Sequence, residues 1–294
     1  MQKTKLLISS LPGLGQLSRQ ELRDKLAAAV SNAATSQVRN NDLTTFEFTG
    51  KLSDLWRLGT VEDVFYGLTD TVLSGQPEDL RVVQDAVTAA AGLDRALAHH
   101  RVAAGGRGRK RTRFRVVVQA DDAKWRQYRR LELQKTCQVG VQQKYPSWKL
   151  VQDEADLEFW IHQVKRRALV SLRLSDKTMR HRDYKIANLP ASLRPTIAYA
   201  MAYLAGIGQA DVFLDPFCGA GTILIERARA GRYQLLLGGD INQAAVDATL
   251  ANLGKKHKPW RIEPWDARSL PLDDQSVDKI VTNLPWGRQI GLKA

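Results

Sequence analysis

Cysteine is scarce in this 294-residue sequence, which contains only Cys137 and Cys218. Two thiols are too few for a disulfide framework or a thiolate metal site, so we expect a reducing, cytoplasmic setting and no bound metal. No apolar run approaches the roughly 18–20 residues that a membrane-spanning helix needs. The first fifteen residues also lack the small-residue cleavage site of a signal peptide. We therefore expect a protein that is neither secreted nor embedded in a membrane.

Acidic residues are too few to balance the basic ones, and the net charge is +13. The excess lies almost entirely in residues 106–190, which carry 21 Lys and Arg against 9 Asp and Glu. Residues 1–105, by contrast, carry 11 against 12. A positive charge confined to one segment predicts a polyanionic partner for that segment. Nucleic acid is favoured over a membrane surface, because the segment shows no basic amphipathic helix.

Aromatic residues are interspersed among these charges, and exposed aromatic rings can stack on unpaired bases. For any single ring a place in the hydrophobic core is the simpler interpretation, whereas the segment as a whole favours nucleic acid. The basic residues that we predict to contact it are Arg107, Arg109, Lys110, Arg111, Arg113, Lys165, Arg166, Arg167, Arg180 and Arg182.

The apolar pattern divides the chain into three regions. The first is predicted to be a small α+β unit, with strands at residues 5–9, 43–48 and 61–73 and helices at 16–30, 52–58 and 77–103. The basic segment is predicted to contain strands at 114–120, 156–162 and 168–174 and a helix at 125–141. From Ser192, a plausible N-cap, helices at 192–205, 222–230 and 242–253 alternate with strands at 212–214, 235–239, 261–265 and 279–282. That alternation predicts a doubly wound parallel sheet.

The most informative stretch runs from Asp215 to Thr222, with sequence DPFCGAGT, and we call it the glycine loop. It follows an apolar strand and precedes a helix. Glycines at 219 and 221 allow the backbone to pass close to a ligand, and Asp215 lies at the carboxyl end of its strand. Ligands bind at that edge in open α/β sheets. The next strand ends at Asp240, whose carboxylate suits the two hydroxyls of a ribose.

Three absences argue against the common phosphate-bearing cofactors. The third glycine of the dinucleotide fingerprint is missing, no Gly-Lys-Ser/Thr motif occurs, and an acidic residue opens the loop, where it would repel a pyrophosphate. An adenosine that carries a cationic group fits better, and S-adenosylmethionine is such a ligand. The predicted cofactor contacts are Asp215, Pro216, Gly219, Gly221, Thr222, Asp240, Ile241, Asp266 and Ala267.

Asp266 follows the third strand of this region. Its carboxylate would accept the adenine amino group, and the N–H of Ala267 would reach a ring nitrogen. An N-cap or turn role for Asp266 is an equally good interpretation. Cys218 lies within the glycine loop without a nearby histidine in the sequence, so we interpret it as a packing residue rather than a nucleophile.

The fourth strand ends in the sequence TNLPWG at residues 282–287. Here the chain resembles the amino-methylating class I S-adenosylmethionine-dependent methyltransferases, whose fourth strand ends in Asn/Asp-Pro-Pro-aromatic. Together with the basic segment and the helix containing LRPTIAYAM at 193–201, it resembles the THUMP-domain RNA methyltransferases, and most of all the branch that forms N2-methylguanosine in tRNA. Leu284 departs from the usual proline, which matters little if only its carbonyl is used.

The resemblance implies a domain order and a reaction. Residues 1–60 would form an N-terminal ferredoxin-like α+β region, 61–176 an RNA-binding THUMP domain, 177–191 a linker and 192–294 a Rossmann-like methyltransferase domain. The reaction would be methyl transfer to the N2 amine of a guanosine in tRNA. The oxygen of Asn283 and the carbonyl of Leu284 would accept the amine hydrogens, and Trp286 would stack on the base. Pro285 is the fourth predicted catalytic residue. Alignment of the amine with the methyl donor would then be the main contribution to the rate.

Only four strand candidates lie in the methyltransferase region, and the sequence stops eleven residues after Asn283. A doubly wound domain usually has six or more strands, so we expect an incomplete domain and a chain that lacks full activity on its own. Alternatives are a methyltransferase that acts on the N2 of an rRNA guanine, one that acts on the amine of a DNA base, and an RNA-binding protein with an inactive catalytic region.

Overall fold

The structure is a computed structural model that describes residues 3–103, 112–120, 124–190 and 192–285. The chain forms two compact units, Met1–Met179 and Arg180–Ala294. Among the described residues, no helix has both the length and the apolar character needed to cross a membrane.

The first unit is built on one eight-stranded mixed sheet. Its strands are β1 (Thr4–Ser10), β2 (Val30–Val38), β3 (Asn41–Phe48), β4 (Asp63–Val72), β5 (Arg113–Gln119), β6 (Lys149–Leu150), β7 (Leu157–Val164) and β8 (Arg167–Arg173). Their order across the sheet is β2-β3-β1-β4-β8-β7-β5-β6. The helices are α1 (Gly15–Leu26), α2 (Glu78–Ala89), α3 (Leu93–Ala103) and α4 (Arg130–Lys144), and the short α5 (Thr178–His181) spans the junction of the two units.

Residues with period-two burial produce this sheet. In β5 the side chains of Phe114, Val116 and Val118 are buried while the residues between them are partly exposed. This alternation is the pattern of a strand with one face on a core. Helices α2 and α4 pack against each other, and Val83, Val87 and Leu133 belong to the same hydrophobic core as the buried side chains of β5.

The sheet crosses the predicted boundary at residue 60. Strand β4 pairs with β1 on one side and with β8 on the other, both antiparallel. The two predicted N-terminal domains therefore share one sheet and one compact unit. The predicted helix at 16–30 is wrong at its end, because α1 stops at Leu26 and β2 starts at Val30. Most of β2 is polar and partly exposed, as an edge strand can be, so its sequence carries little periodic signal.

The second unit contains a parallel sheet, as predicted. Its strands are β9 (Val212–Asp215), β10 (Leu235–Asp240), β11 (Trp260–Pro264) and β12 (Lys279–Ile280), in the order β11-β10-β9-β12. All three strand pairs are parallel. The helices are α6 (Pro195–Leu204), α7 (Thr222–Ala230) and α8 (Gln243–Leu253). Buried side chains lie on both faces of the sheet, Phe213 and Leu236 in one cluster and Leu214 and Leu237 in another.

The segment predicted as a free linker is partly built into the second unit. Arg182 is 6% exposed and its Nε lies 3.2 Å from Oε1 of the buried Glu226. Tyr184 donates a hydrogen bond to the same oxygen at 2.7 Å. The predicted N-cap at Ser192 is also wrong, since α6 begins at Pro195 after Arg194. Proline is favoured at the first position of a helix, which explains the later start.

Candidate functional site

The loop between β9 and α7 takes its shape from two glycines in the left-handed backbone region. Gly219 has φ +53° and Gly221 has φ +74°. A Cβ on Gly221 would lie 2.8 Å from Cγ2 of Thr249, whereas a Cβ on Gly219 would have nothing within 4 Å. Gly221 is therefore needed for packing against α8, and Gly219 borders open space where a ligand can approach the backbone.

Side chains of α8 hold this loop from behind. The hydroxyl of Thr249 donates to the carbonyl of Gly219 at 2.8 Å, and Asn252 Nδ2 donates to the carbonyl of Ala220 at 2.9 Å. Asn252 Oδ1 also accepts the amides of Ile186 and Ala187, each at 2.8 Å. Both α8 side chains are buried. Neither role was predictable from the sequence, since a helical Thr or Asn has no pattern that reveals a distant partner.

Asp215 ends β9 and is almost fully buried, at 1% exposure. Its Oδ1 accepts hydrogen bonds from the Thr282 hydroxyl at 2.7 Å and from the Phe217 amide at 3.2 Å. Burial raises the pKa of Asp215 to about 7, and the nearby charge of Asp240 raises it as well. The two hydrogen bonds lower this pKa but do not offset burial. The carboxylate thus lies beneath the loop rather than on its open side.

Asp240 ends β10, the neighbouring strand, and is partly exposed. Its Oδ2 accepts the amide of Gly219 at 3.1 Å, and its Oδ1 accepts the amide of Asn242 at 3.0 Å. Each carboxylate oxygen has a second acceptor site, so both remain able to accept a ligand hydroxyl. Ile241, the next residue, is 74% exposed. An exposed isoleucine beside a carboxylate provides an apolar surface for a flat ring.

The remaining predicted cofactor residues lie around the same sheet edge. Pro216 is buried in the loop, and Thr222 is the buried first residue of α7. Asp266 accepts hydrogen bonds from the backbone amide of Arg268 at 3.0 Å and from its guanidinium at 2.8 Å. These bonds lower the pKa of Asp266 to about 2. Asp266 therefore does serve as a turn residue here, and Ala267 is partly exposed beside it.

The turn after β12 carries the predicted amine-binding residues. Asn283 and Pro285 are partly buried, and Leu284 is 59% exposed. Thr282 links this turn to Asp215 through the hydrogen bond already described. The stacking residue Trp286 lies outside the described residues. Because β12 and β10 flank β9, the turn and the Asp240 loop follow strands on either side of the glycine loop.

Cys218 belongs to the scaffold of the loop. It is buried, its amide donates to the carbonyl of Gly239 at 2.9 Å, and burial raises the pKa of its thiol to about 12. A thiol that stays protonated is a poor nucleophile, as the packing interpretation requires. Across the part of the chain that the structure describes, no group of three or more His, Cys, Asp and Glu side chains is arranged to hold a metal ion.

The predicted nucleic-acid contacts that the structure describes differ in their exposure. Lys165, Arg166 and Arg167 are exposed at the tip of the β7–β8 hairpin, and Arg166 lies 5.2 Å from the ring centroid of Trp125. Arg167 also pairs with Asp70 at 2.6 Å. We call residues 165–167 the hairpin tip. It is an exposed cationic group next to an aromatic ring, the combination suited to a nucleic-acid strand.

The other predicted contacts differ in exposure. Arg113 is partly buried and lies 3.5 Å from Asp156, and Arg180 is partly buried. Arg182 is corrected to a structural residue, since its guanidinium is buried against Glu226 rather than presented to solvent. Arg107, Arg109, Lys110 and Arg111 lie outside the described residues.

Comparison with known proteins agrees with this geometry. Residues 182–294 match the family described as UPF0020, RMKL-like, methyltransferase domain. The human tRNA (guanine(6)-N(2))-methyltransferase THUMP3 is 32% identical over 167 residues, covering 52% of this chain and 33% of the relative. The human U6 snRNA (guanine-N(2))-methyltransferase THUMPD2 is 30% identical over 181 residues, covering 61% of this chain and 35% of the relative. The predicted resemblance to guanine-N2 RNA methyltransferases is thereby confirmed.

The chain spans about a third of the length of these curated relatives. Among solved structures, TrmN from Thermus thermophilus superposes with a TM-score of 0.76 at 21% identity, covering 97% of this chain and 79% of the other. That likeness confirms the predicted mixed α/β architecture.

Proposed function

We propose that this protein transfers a methyl group from S-adenosylmethionine to the exocyclic N2 amine of a guanosine in RNA, with tRNA as its substrate. The main support for the proposal is that the predicted site residues follow neighbouring strands, at the same edge of the parallel sheet. The glycine loop and Asp240 follow adjacent strands, and the Asn283 turn follows the strand on the other side of the loop. A methyl donor and an amine acceptor require such neighbouring sites.

The residues present fit S-adenosylmethionine. Space is open on the Cβ side of Gly219, Asp240 retains acceptor sites for ribose hydroxyls, and Ile241 is exposed beside it. The acidic groups at the loop are Asp215, buried beneath it, and the partly exposed Asp240 beside it. Their negative charge suits a ligand that carries sulfonium and ammonium charges. When bound, this cofactor supplies an activated methyl group.

The turn after β12 supplies what the acceptor needs. A guanine amine is a weak nucleophile because its lone pair is delocalised into the ring. In the proposal, the side-chain oxygen of Asn283 and the carbonyl of Leu284 accept the two amine hydrogens and leave the lone pair directed at the methyl donor. Asparagine cannot act as a base, and none is required, because the methylated amine carries a positive charge and releases its proton to solvent while the demethylated cofactor leaves as a neutral thioether. Positioning is therefore the main contribution to the rate, and it reaches about 7–11 kcal/mol in well-aligned cases.

The RNA is proposed to bind the first unit. Support comes from the excess of basic residues between 106 and 190 and from the hairpin tip beside Trp125. The relatives named above act on tRNA and on U6 snRNA, so both RNAs belong in the test.

We also propose a cytoplasmic location, because both cysteines are free. Fractionation of cells that express the tagged protein tests this location.

Cofactor binding is tested by titration calorimetry with S-adenosylmethionine. We expect Asp240→Ala to weaken binding by about 10- to 100-fold, because it removes hydrogen bonds to a charged acceptor. Asp240→Asn keeps one acceptor oxygen and should lie between wild type and Asp240→Ala. The control is Asp247→Ala, an exposed carboxylate on α8 that bonds only Gln243 among the described contacts. Equal affinities for Asp240→Ala and wild type would contradict the assignment.

The reaction is tested by incubating the full-length protein with labelled cofactor and, separately, with tRNA, U6 snRNA, rRNA and DNA, followed by mass-spectrometric nucleoside analysis. We expect label in N2-methylguanosine from tRNA. Asn283→Leu should abolish transfer, while Asn283→Asp, which keeps an acceptor oxygen, should retain it. Label in DNA alone, or RNA binding without any transfer, would overturn the proposal and favour the alternatives.

A further inference from the structure

The turn that begins at Asn283 is attached to β9 at two successive residues. The amide of Val281 donates to the carbonyl of Leu214 at 3.0 Å, and the hydroxyl of Thr282 donates to Oδ1 of Asp215 at 2.7 Å. Any residue can make the first bond through its backbone. The second bond depends on the side chain at position 282. Thr282 directly precedes Asn283, so this side chain fixes the start of the turn.

The same carboxylate oxygen also accepts the amide of Phe217, at 3.2 Å. Phe217 lies in the glycine loop, and Thr282 lies at the start of the amine-binding turn. One buried oxygen atom therefore joins the element that would hold the methyl donor to the element that would hold the acceptor. Asp215 is 1% exposed, so water cannot replace either bond.

We propose that Thr282 is a positioning residue for methyl transfer: its hydroxyl, held by Asp215, fixes the Asn283 turn relative to the glycine loop. The inference rests on the proposed function of this site. Methyl transfer requires the amine lone pair and the methyl carbon to be aligned, and small misplacements of reacting groups lower rates by large factors. Thr282 touches neither proposed substrate; it would act through the turn and through Asp215.

The hydroxyl has a second, electrostatic effect on Asp215. Among the described residues, the titratable groups that interact electrostatically with this carboxyl are Asp240 at the end of β10 and Cys218 in the loop, and neither carries a positive charge. The Thr282 bond lowers the pKa of Asp215, which burial has raised to about 7. Loss of the hydroxyl should raise that pKa further. A cationic ligand favours ionised Asp215, so its affinity should increase as pH rises through this pKa.

The test compares wild type, Thr282→Val and Thr282→Ser in the full-length protein. Calorimetry with S-adenosylmethionine is run between about pH 6 and pH 9. For Thr282→Val we expect the midpoint of the affinity-against-pH curve to move to higher pH, and Thr282→Ser to restore the wild-type midpoint. On the RNA that wild type methylates, Thr282→Val should lower the single-turnover rate about tenfold, as loss of a hydrogen bond to a carboxylate implies.

Two further variants keep the outcome interpretable. Ser276→Ala removes a hydroxyl from the exposed loop before β12 and should change neither the midpoint nor the rate. Asp215→Asn keeps Oδ1 as the acceptor but removes the charge, so it should lose the pH dependence due to Asp215 and keep only that of the ligand's own amino group, which all variants share. If Thr282→Val does not fold, a wild-type pH dependence in Asp215→Asn would overturn the inference.

The remaining outcomes separate this inference from the proposed function. If wild type binds S-adenosylmethionine and Thr282→Val has the same midpoint and rate, the positioning role is wrong and the proposed function stands. If Thr282→Ser is as impaired as Thr282→Val, the hydroxyl is not the determinant and the inference is again wrong. If wild type does not bind the cofactor, the proposed function fails first.

Discussion

Asp215 is a carboxyl group that the fold keeps largely out of water. Burial and the charge of Asp240 raise its pKa to about 7, well above the ordinary value of 3.8. The folded protein then holds this proton more tightly than the unfolded chain does. Between about pH 4 and pH 7 this group makes the folded state less stable as pH rises, and above pH 7 the penalty is constant.

This sign gives a stability prediction for Asp215→Asn, which preserves the two hydrogen bonds to Oδ1. At about pH 5 the folded wild type is protonated at Asp215 while the unfolded chain is ionised, so part of the penalty is already present. Between about pH 5 and pH 8 the variant should gain roughly 3 kcal/mol relative to wild type, since about two pKa units of the rise lie in this range and each is worth about 1.4 kcal/mol. Urea denaturation at the two pH values measures the change. An equal stability difference at both would show that Asp215 has an ordinary pKa.

Gly219 and Gly221 make a matched pair, because both adopt positive φ but only one has a close neighbour. Gly219→Ala should cost about 1–2 kcal/mol of stability from backbone strain alone. Gly221→Ala adds a clash with Thr249, so its loss should be larger, toward about 3 kcal/mol. Yet Gly219→Ala should impair cofactor binding, because its new methyl group enters the open space. Equal stability losses, or unimpaired binding in Gly219→Ala, would contradict this division.

The hairpin tip is the part of the predicted RNA surface that the structure describes as exposed. Replacement of Lys165, Arg166 and Arg167 by alanine should weaken RNA binding and reduce the slope of log affinity against log salt concentration by about 1–3. Loss of the Arg167–Asp70 pair should have little effect on folding, since Arg167 is exposed.

The matched control removes three exposed charges elsewhere in the same unit, Arg23, Lys51 and Arg57. These residues lie in the region without excess positive charge. Fluorescence titrations of a tRNA at several salt concentrations compare the two triple variants. An unchanged slope for the hairpin-tip variant, or an equal loss in the control, would remove this hairpin from the proposed surface.

Strands and helices of the second unit were predictable because each has a local signal. Helix α7 was predicted with the bounds observed, since the glycine loop marks its start and Gly231 its end. Strand β2 was missed because its polar sequence is specified by pairing with β3. The roles of Thr249, Asn252 and Thr282 were missed for the same reason: each depends on a partner at least 30 residues away.

Across the whole molecule, the sequence predicted the parallel sheet and which strand ends carry acidic or amide side chains. It did not predict that residues 1–60 and 61–176 share a sheet, because strand order is set by pairings between segments distant in sequence. It also assigned Arg182 to an RNA surface, since a cluster of basic residues does not reveal that one of them is buried beside Glu226.

The central claim is that the carboxyl edge of the second unit's sheet holds a methyl-donor nucleoside. A crystal structure of the 294-residue chain with S-adenosylhomocysteine tests it most directly. We predict ribose hydroxyls within about 3 Å of the Asp240 carboxylate, with the ligand passing over Gly219. A nucleoside bound away from Asp240 and Gly219, or no bound nucleoside at saturating concentration, would contradict the account.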